Sequence, residues 1–344
     1  MSTKNTNFTL ADITIHPGET ANLALPLPEL YSCTSFNMPL KVIHGKYAGP
    51  CLLIVSTMKG DELNGMEIIK RLVATESFDA LAGTLILVPV FNILALISHL
   101  KTISYELTLE NSFPGKEHGT YGERMAHVFT QEILSKVNYC IELQTGSLNH
   151  ELLPQVYCHL KDAEARTLAQ NFAAPVITQM PSVANSFWHT TEALHIPLIR
   201  YQAGEALRLN EPAILTGLQG IRQVLRALTM LPLGHAEETS FIPIFSESQE
   251  WVYSHVSGML ASHVELGQLI HRQDVLGMVS DPLGVNTTQP VRAAMDGIVV
   301  GINRHPLIHE GQTLFKIASF SDNDRAETAL EAWGDRLPDE YHEE

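Results

Sequence analysis

The chain has 344 residues, with 22 Lys+Arg against 38 Asp+Glu, a formal net charge of −16, and hydrophobic and charged shares of 45% and 17%. That much apolar material builds a large core and argues against a disordered acidic chain, and the negative charge argues against a nucleic-acid partner, which needs a basic face. No run reaches the ~20 apolar residues of a membrane helix, the opening MSTKNTNFTLADI lacks an apolar leader, and Cys33, Cys51, Cys140 and Cys158 are scattered, as in reduced cytosolic chains. The expectation is an acidic cytoplasmic protein with no membrane partner.

In chain order, Ile13 to Leu25 shows two extended runs around Pro17-Gly18, which predicts a hairpin. MPLKVIHG and CLLIVSTM are short β-branched runs, the second apolar enough for a strand buried on both faces. Asn64 to Ala74 repeats Met66, Ile69, Leu72 and Val73 at helical spacing, so residues 59–65 form a strand-to-helix turn. Thr84 to Asn92 predicts a strand, Tyr121 to Val137 an amphipathic helix, and Tyr139 to Gly146 a third strand. Pro175 to Ile177 and Ile196 to Gln202 predict further strands, and Ala213 to Leu228 a long helix. Alternating strands and helices imply a mixed, mainly parallel sheet with helices on both faces. In such sheets sites collect at the carboxyl ends of strands.

Leu231 to Ser240 has the texture of a linker, and beyond it short strands alternate with turns. The spacing there resembles the small barrel of lipoyl or biotinyl carriers, but MDGI places no Lys at the hairpin tip, so no lipoylation is expected. The expected division is an α/β domain over residues 1–235, a small β-barrel over 241–320 and an acidic tail over 321–344.

The ordered segments GPCLLIVSTMKGDELNG, VPVFN, ENSFPG, GERMAHV, IELQTG and IPLIRYQAGE, followed by the small barrel, resemble the succinylglutamate desuccinylase/aspartoacylase family. The resemblance runs from Met38 to Ala318 and implies a zinc carboxypeptidase-like fold and hydrolysis of N-acyl amino acids. It also locates a site by position. The family's first metal motif, His-Gly-(Asp/Asn)-Glu, is here Lys59-Gly60-Asp61-Glu62. The second, Asp-Leu-His-Thr-Gly, is Glu142-Leu143-Gln144-Thr145-Gly146. The family's catalytic Glu falls on Gln202, in Gln202-Ala203-Gly204. The Asn-Arg pair that binds substrate carboxylate falls on Glu110-Asn111, and a further Arg falls near Lys101.

These replacements bear directly on the implied chemistry. Catalytic zinc takes about three protein ligands and a water. A protonated Lys offers no lone pair, and a Gln carbonyl is a poor substitute for imidazole. Without zinc the bound water keeps a pKa near 15.7 rather than about 7, and an amide in place of the general base removes a further ~10²–10⁴-fold. The first expectation is therefore a family protein without zinc or zinc hydrolysis, a small-ligand-binding or regulatory pseudoenzyme. In it Lys59 pairs with Glu62, Gln144 completes that carboxylate's hydrogen bonds, and Glu142 lines the same pocket. The alternative is an active zinc-dependent deacylase of N-acyl amino acids whose metal is held by Glu62 and residues outside the motifs. Either reading implies a small acylated metabolite as partner, and the resemblance implies a homo-oligomer. The sixteen histidines show no tight ligand spacing; His99, His118, His150, His189 and His195 read as loop or surface residues. Cys140 reads as a buried thiol.

Overall fold

The computed structural model describes residues 3–29, 35–98, 109–181, 183–232, 242–284 and 287–336. Within them the strands are β1 (Phe8–Leu10), β2 (Ile13–Ile15), β3 (Thr20–Pro26), β4 (Asn37–His44), β5 (Tyr47–Ser56), β6 (Ala82–Val88), β7 (Tyr139–Gln144), β8 (His150–Cys158), β9 (Val176–Gln179) and β10 (Leu198–Gly204). Toward the C-terminus follow β11 (Ile244–Phe245), β12 (Ser248–Tyr253), β13 (Gly258–Ser262), β14 (Leu269–Ile270), β15 (Val275–Ser280), β16 (Gln289–Arg292), β17 (Gly297–Asn303), β18 (Leu307–Ile308) and β19 (Thr313–Ser319). The α-helices are α1 (Asn64–Thr75), α2 (Ile93–Ser98), α3 (Tyr121–Glu132), α4 (Ala163–Phe172), α5 (Phe187–Ala193), α6 (Glu211–Ala227) and α7 (Asn323–Gly334). None is long and apolar enough to cross a membrane.

One large mixed sheet organises the molecule, in the order β12-β19-β17-β8-β10-β7-β5-β6-β4-β3. Its centre, β6-β5-β7-β10, is parallel, and antiparallel pairing begins on either side at β4 and β8. The apolar run Cys51–Ser56 is buried because β5 is central and covered on both faces. Alternation then divides the faces. Tyr201 of β10 turns toward α4 and α6, its ring 5.0 Å from that of Phe172, and α1 packs on α6. Residues 142, 144, 200 and 202 turn the other way, toward α5 and the Phe91–Phe113–Phe129–Phe187 aromatic cluster that α3 supports.

Sequence signals account for the helix ends. Thr120 and Glu123 form a reciprocal capping box at the start of α3. Asn210 caps α6 ahead of Pro212, and Asp162 caps α4. Such caps are worth about 1 kcal/mol each.

One expectation fails, and one strand was not foreseen. The extended runs of Ile13 to Leu25 exist, but they do not form a hairpin. β2 pairs with β1, while β3 pairs with β4 on the edge of the large sheet, where it buries Leu23 and Leu25. Burial of an alternating apolar face outweighs the local turn. The sequence predicts no element over residues 147–158, of which His150–Cys158 form the strand β8, although Pro154 removes a ladder donor there. It is nevertheless internal, because the β8–β10 register shifts between Gln202 and Gly204, opposite Pro154. The bulge accommodates the missing N–H.

The large sheet passes without a break from β8 into β17. The C-terminal strands have their own apolar cluster around Val264, Leu276, Val299 and Phe315. A second cluster, Leu153 and Val176 with Ile298, Val300, Ala318 and Leu330, joins β8 and β9 to β17, β19 and α7. Residues 233–240 of the expected linker lie outside the described residues.

Candidate functional site

Strand register builds the site. β10 runs parallel to β7 with Arg200 opposite Glu142 and Gln202 opposite Gln144. Period-two alternation sends all four side chains to the α5 face, with Gln144 at the carboxyl end of β7. Glu142 is 1% exposed and both its oxygens are engaged. The Gln144 Nε2 donates to Oε1 at 2.6 Å, and the Arg200 Nε donates to Oε2 at 2.8 Å. The Arg200 Nη1 also lies 3.6 Å from the Met180 sulfur.

The β5-to-α1 turn supplies the second half. Lys59 and Glu62 are three residues apart on this turn, which approaches α2 so closely that a Cβ on Gly60 would lie 2.0 Å from the Ala95 carbonyl. Only glycine fits there. Glu62 is 1% exposed. Its Oε2 accepts the Lys59 backbone N–H at 3.1 Å, and its Oε1 lies 3.8 Å from the Lys59 Nζ, with no hydrogen-bond donor among the described residues. Desolvation pushes the Glu62 carboxyl up to about 7, against the lowering pull of Lys59; Glu142 and Asp61 add smaller upward contributions.

The expected Lys59–Glu62 pairing is thus an ion-pair contact rather than a hydrogen bond. The expectation that Gln144 completes Glu62's hydrogen bonds is corrected: strand register carries the Gln144 amide to Glu142 instead. Gln202 donates to the Thr145 carbonyl at 3.0 Å. Asn111 closes the short turn Leu109–Asn111 and lines the pocket with Glu142 and Gln144. Lys101 and the side chain of Glu110 lie outside the described residues, as does His99.

Above Glu142 opens a cavity of about 150 Å³, with Asn111, Glu142, Gln144 and Arg200 on its polar side and Met58, Phe113, Met180, Phe187 and Trp188 among its apolar walls. The Trp188 Nε1 is buried without a hydrogen-bond acceptor among the described residues. Arg200 is the site residue that sequence reasoning did not assign. Its signal is present in Leu198-Ile-Arg-Tyr-Gln, where position 200 is two before 202 and so shares its face. Cys140 is fully buried, and desolvation raises its thiol far above the ordinary range, as expected for a structural cysteine. Among the described residues, no three His, Cys, Asp or Glu side chains converge as a metal-ligand group.

Comparison with known proteins adds the family. The model of the succinylglutamate desuccinylase/aspartoacylase catalytic domain matches residues 48–228, more than half of the chain. The N-alpha-acetyl-L-2,4-diaminobutyric acid deacetylase of Halomonas elongata is 25% identical, with 78% of this chain and 82% of that protein covered. The product-bound ectoine utilization protein EutE (DoeB) of Ruegeria pomeroyi superposes with a TM-score of 0.78 at 23% identity, over 89% of this chain and 97% of that one. A succinylglutamate desuccinylase/aspartoacylase from Rhodobacter sphaeroides gives 0.76 at 20% identity, over 88% and 95%. At these identities the two structures speak for the fold alone.

Proposed function

The chain belongs to the succinylglutamate desuccinylase/aspartoacylase family, and on that premise we propose that it binds a small acylated amino acid or related metabolite in the β7–β10 pocket without hydrolysing it through zinc. One observation carries the reading. At the family's third ligand position Gln144 is a donor to Glu142, whose remaining oxygen takes Arg200. The Gln144 Nε2 is committed to that buried charge-assisted hydrogen bond, worth about 1.5–3 kcal/mol, which leaves only the neutral amide oxygen, a poor substitute for imidazole, to face a metal. The Lys59 ammonium has no lone pair for a metal, so Glu62 is the one competent ligand among the three family positions. That donor set does not fit catalytic zinc, which takes about three protein ligands, and Gln202 cannot accept a proton as a general base.

In this reading residues 1–235 form a zinc carboxypeptidase-like domain and the strands of 241–320 a small lipoyl-like barrel, supported by the separate C-terminal apolar cluster. The protein is cytoplasmic and assembles as a homo-oligomer. Metal analysis of the purified chain, together with assays on N-acetyl- and N-succinyl-amino acids, tests the proposal. The expected result is zinc well below one per chain and no chelator-sensitive turnover. Stoichiometric zinc with chelator-sensitive hydrolysis overturns it.

One observation favours a second reading, an active zinc-dependent deacylase. The Glu62 Oε1 is buried without a donor, and its carboxyl is held up near 7; a cation bound there would supply the missing partner. The remaining ligands would come from residues outside the three motifs. The same metal analysis separates the two readings.

A further inference from the structure

Six buried apolar side chains, Met58, Leu109, Phe113, Met180, Phe187 and Trp188, wall the cavity of about 150 Å³. Its other described apolar lining, Pro181 and Val183, is exposed, as is Asn111, so the cavity opens there. The wall is braced from behind. Phe113 and Phe187 touch each other at 5.1 Å between ring centroids, and both pack on Phe129, at 6.3 and 6.0 Å. Tilted and edge-on ring contacts of this kind hold the rings in place. The wall therefore does not fold inward, and an unfilled space would leave its atoms without dispersion partners.

Size selects the occupant. An engineered apolar cavity of about this volume takes one benzene molecule or xenon. The space therefore admits a single compact group and not a whole acylated amino acid. Water is a poor filler against apolar walls, because each buried molecule needs several polar partners. On the polar side, the Gln144 Nε2 and the Arg200 Nε are already turned to Glu142. The thioethers of Met58 and Met180 add polarizable contacts that favour an aromatic ring.

Resting on the ligand-binding reading above, we propose that this cavity is a subsite for one compact apolar group of the ligand, a phenyl ring or a branched alkyl chain of about six carbon atoms. The group enters past Val183 and lies against the methionine and phenylalanine side chains of the wall. The polar remainder of the ligand stays at the mouth.

Methyl spectra of the full chain, isotopically labelled at its ten methionines, test this. The Met58 and Met180 signals are assigned from the conservative variants Met58→Leu and Met180→Leu. Benzene titrated alone should shift both signals through its ring current and leave those of Met38 and Met230, buried elsewhere in the core, in place. Xenon should move the same two. Benzene should bind at least about tenfold more tightly than acetamide, whose single methyl group has far less apolar surface to bury. At least one of N-benzoylglycine and N-acetyl-L-phenylalanine should displace benzene, and N-acetylglycine should not. The proposal is overturned if benzene moves neither signal, if acetamide binds as tightly, if neither ring-bearing ligand displaces benzene, or if N-acetylglycine displaces it equally well. The two readings fail separately. Stoichiometric zinc with hydrolysis overturns the zinc-free reading whatever benzene does, and failure of benzene to bind overturns the subsite whatever the metal content.

Discussion

Two buried carboxylates stand at the same end of the large sheet, and they are satisfied in different ways. Glu142 belongs to a strand. Parallel pairing puts Arg200 opposite it, and its own alternation puts Gln144 beside it, so each oxygen takes a donor within 2.8 Å. Glu62 belongs to a turn, where the local chain offers one backbone N–H and an ammonium 3.8 Å away, and where Oε1 has no donor among the described residues. A strand imposes repeated cross-strand neighbours about 5 Å apart, whereas a short turn supplies only what its own backbone reaches. The lesson is that burial alone does not specify a carboxylate's state; the element that carries it does.

The comparison can be broken most forcefully at Arg200. Replacing it by Leu leaves Glu142 buried without a cation, a change that costs about 3–5 kcal/mol in comparable buried pairs. Urea unfolding of Arg200→Leu reads that loss, and an unchanged midpoint would mean that Glu142 is not held as described. Glu62→Gln should act in the opposite direction in the metal-free protein. Its carboxyl is raised from 4.5 to about 7 in the folded state, so the fold keeps a proton that the unfolded chain has released. Stability therefore falls as pH rises from 4.5 to 7, and the cost is fully present above 7. The substitution should stabilise by up to about 3 kcal/mol at pH 8 and have no effect near pH 4.5. A pH-independent effect would place Glu62 outside the desolvated environment assigned to it.

A smaller effect is expected at Lys316, a half-buried cation on β19. Its Nζ donates to the Tyr157 hydroxyl at 2.7 Å and lies 5.4 and 5.9 Å from the ring centroids of Tyr157 and Trp251. Tyr157 in turn donates to Gln249, whose amide reaches Gln155. Desolvation lowers the ammonium from 10.5 to about 8. The folded state loses this proton first, so stability should rise as pH increases from 8 to 10.5. Because the side chain retains some solvent contact, Lys316→Met should stabilise by only about 1 kcal/mol at pH 7. A flat stability profile over that alkaline range in the wild type would remove Lys316 from the comparison.

Much of the fold is legible locally. The run CLLIVS announces a buried strand, the spacing of Ile69 and Leu72 announces α1, and Thr120 with Glu123 marks the start of α3. The N-terminal pairing is less legible, because β3 finds its partner in β4 rather than across the adjacent turn. β8 is hidden for a related reason: Pro154 lowers its strand signal, and the bulge that accommodates the proline needs β10 on the other side. In the site, alternation along Tyr139–Gln144 already puts Glu142 and Gln144 on one face, and GDELNG already places Glu62 on a turn before α1.

By itself, then, the sequence determined which residue types stand at positions 59, 62, 144 and 202. Only the tertiary structure decided what those residues do. Glu142 and Arg200 are 58 positions apart, and no local pattern records that their strands are neighbours in register. That adjacency follows from burying α1, α4 and α6 on one face of the sheet and the aromatic cluster on the other. Long-range packing places the arginine, and the arginine then settles which oxygen Gln144 is left to serve.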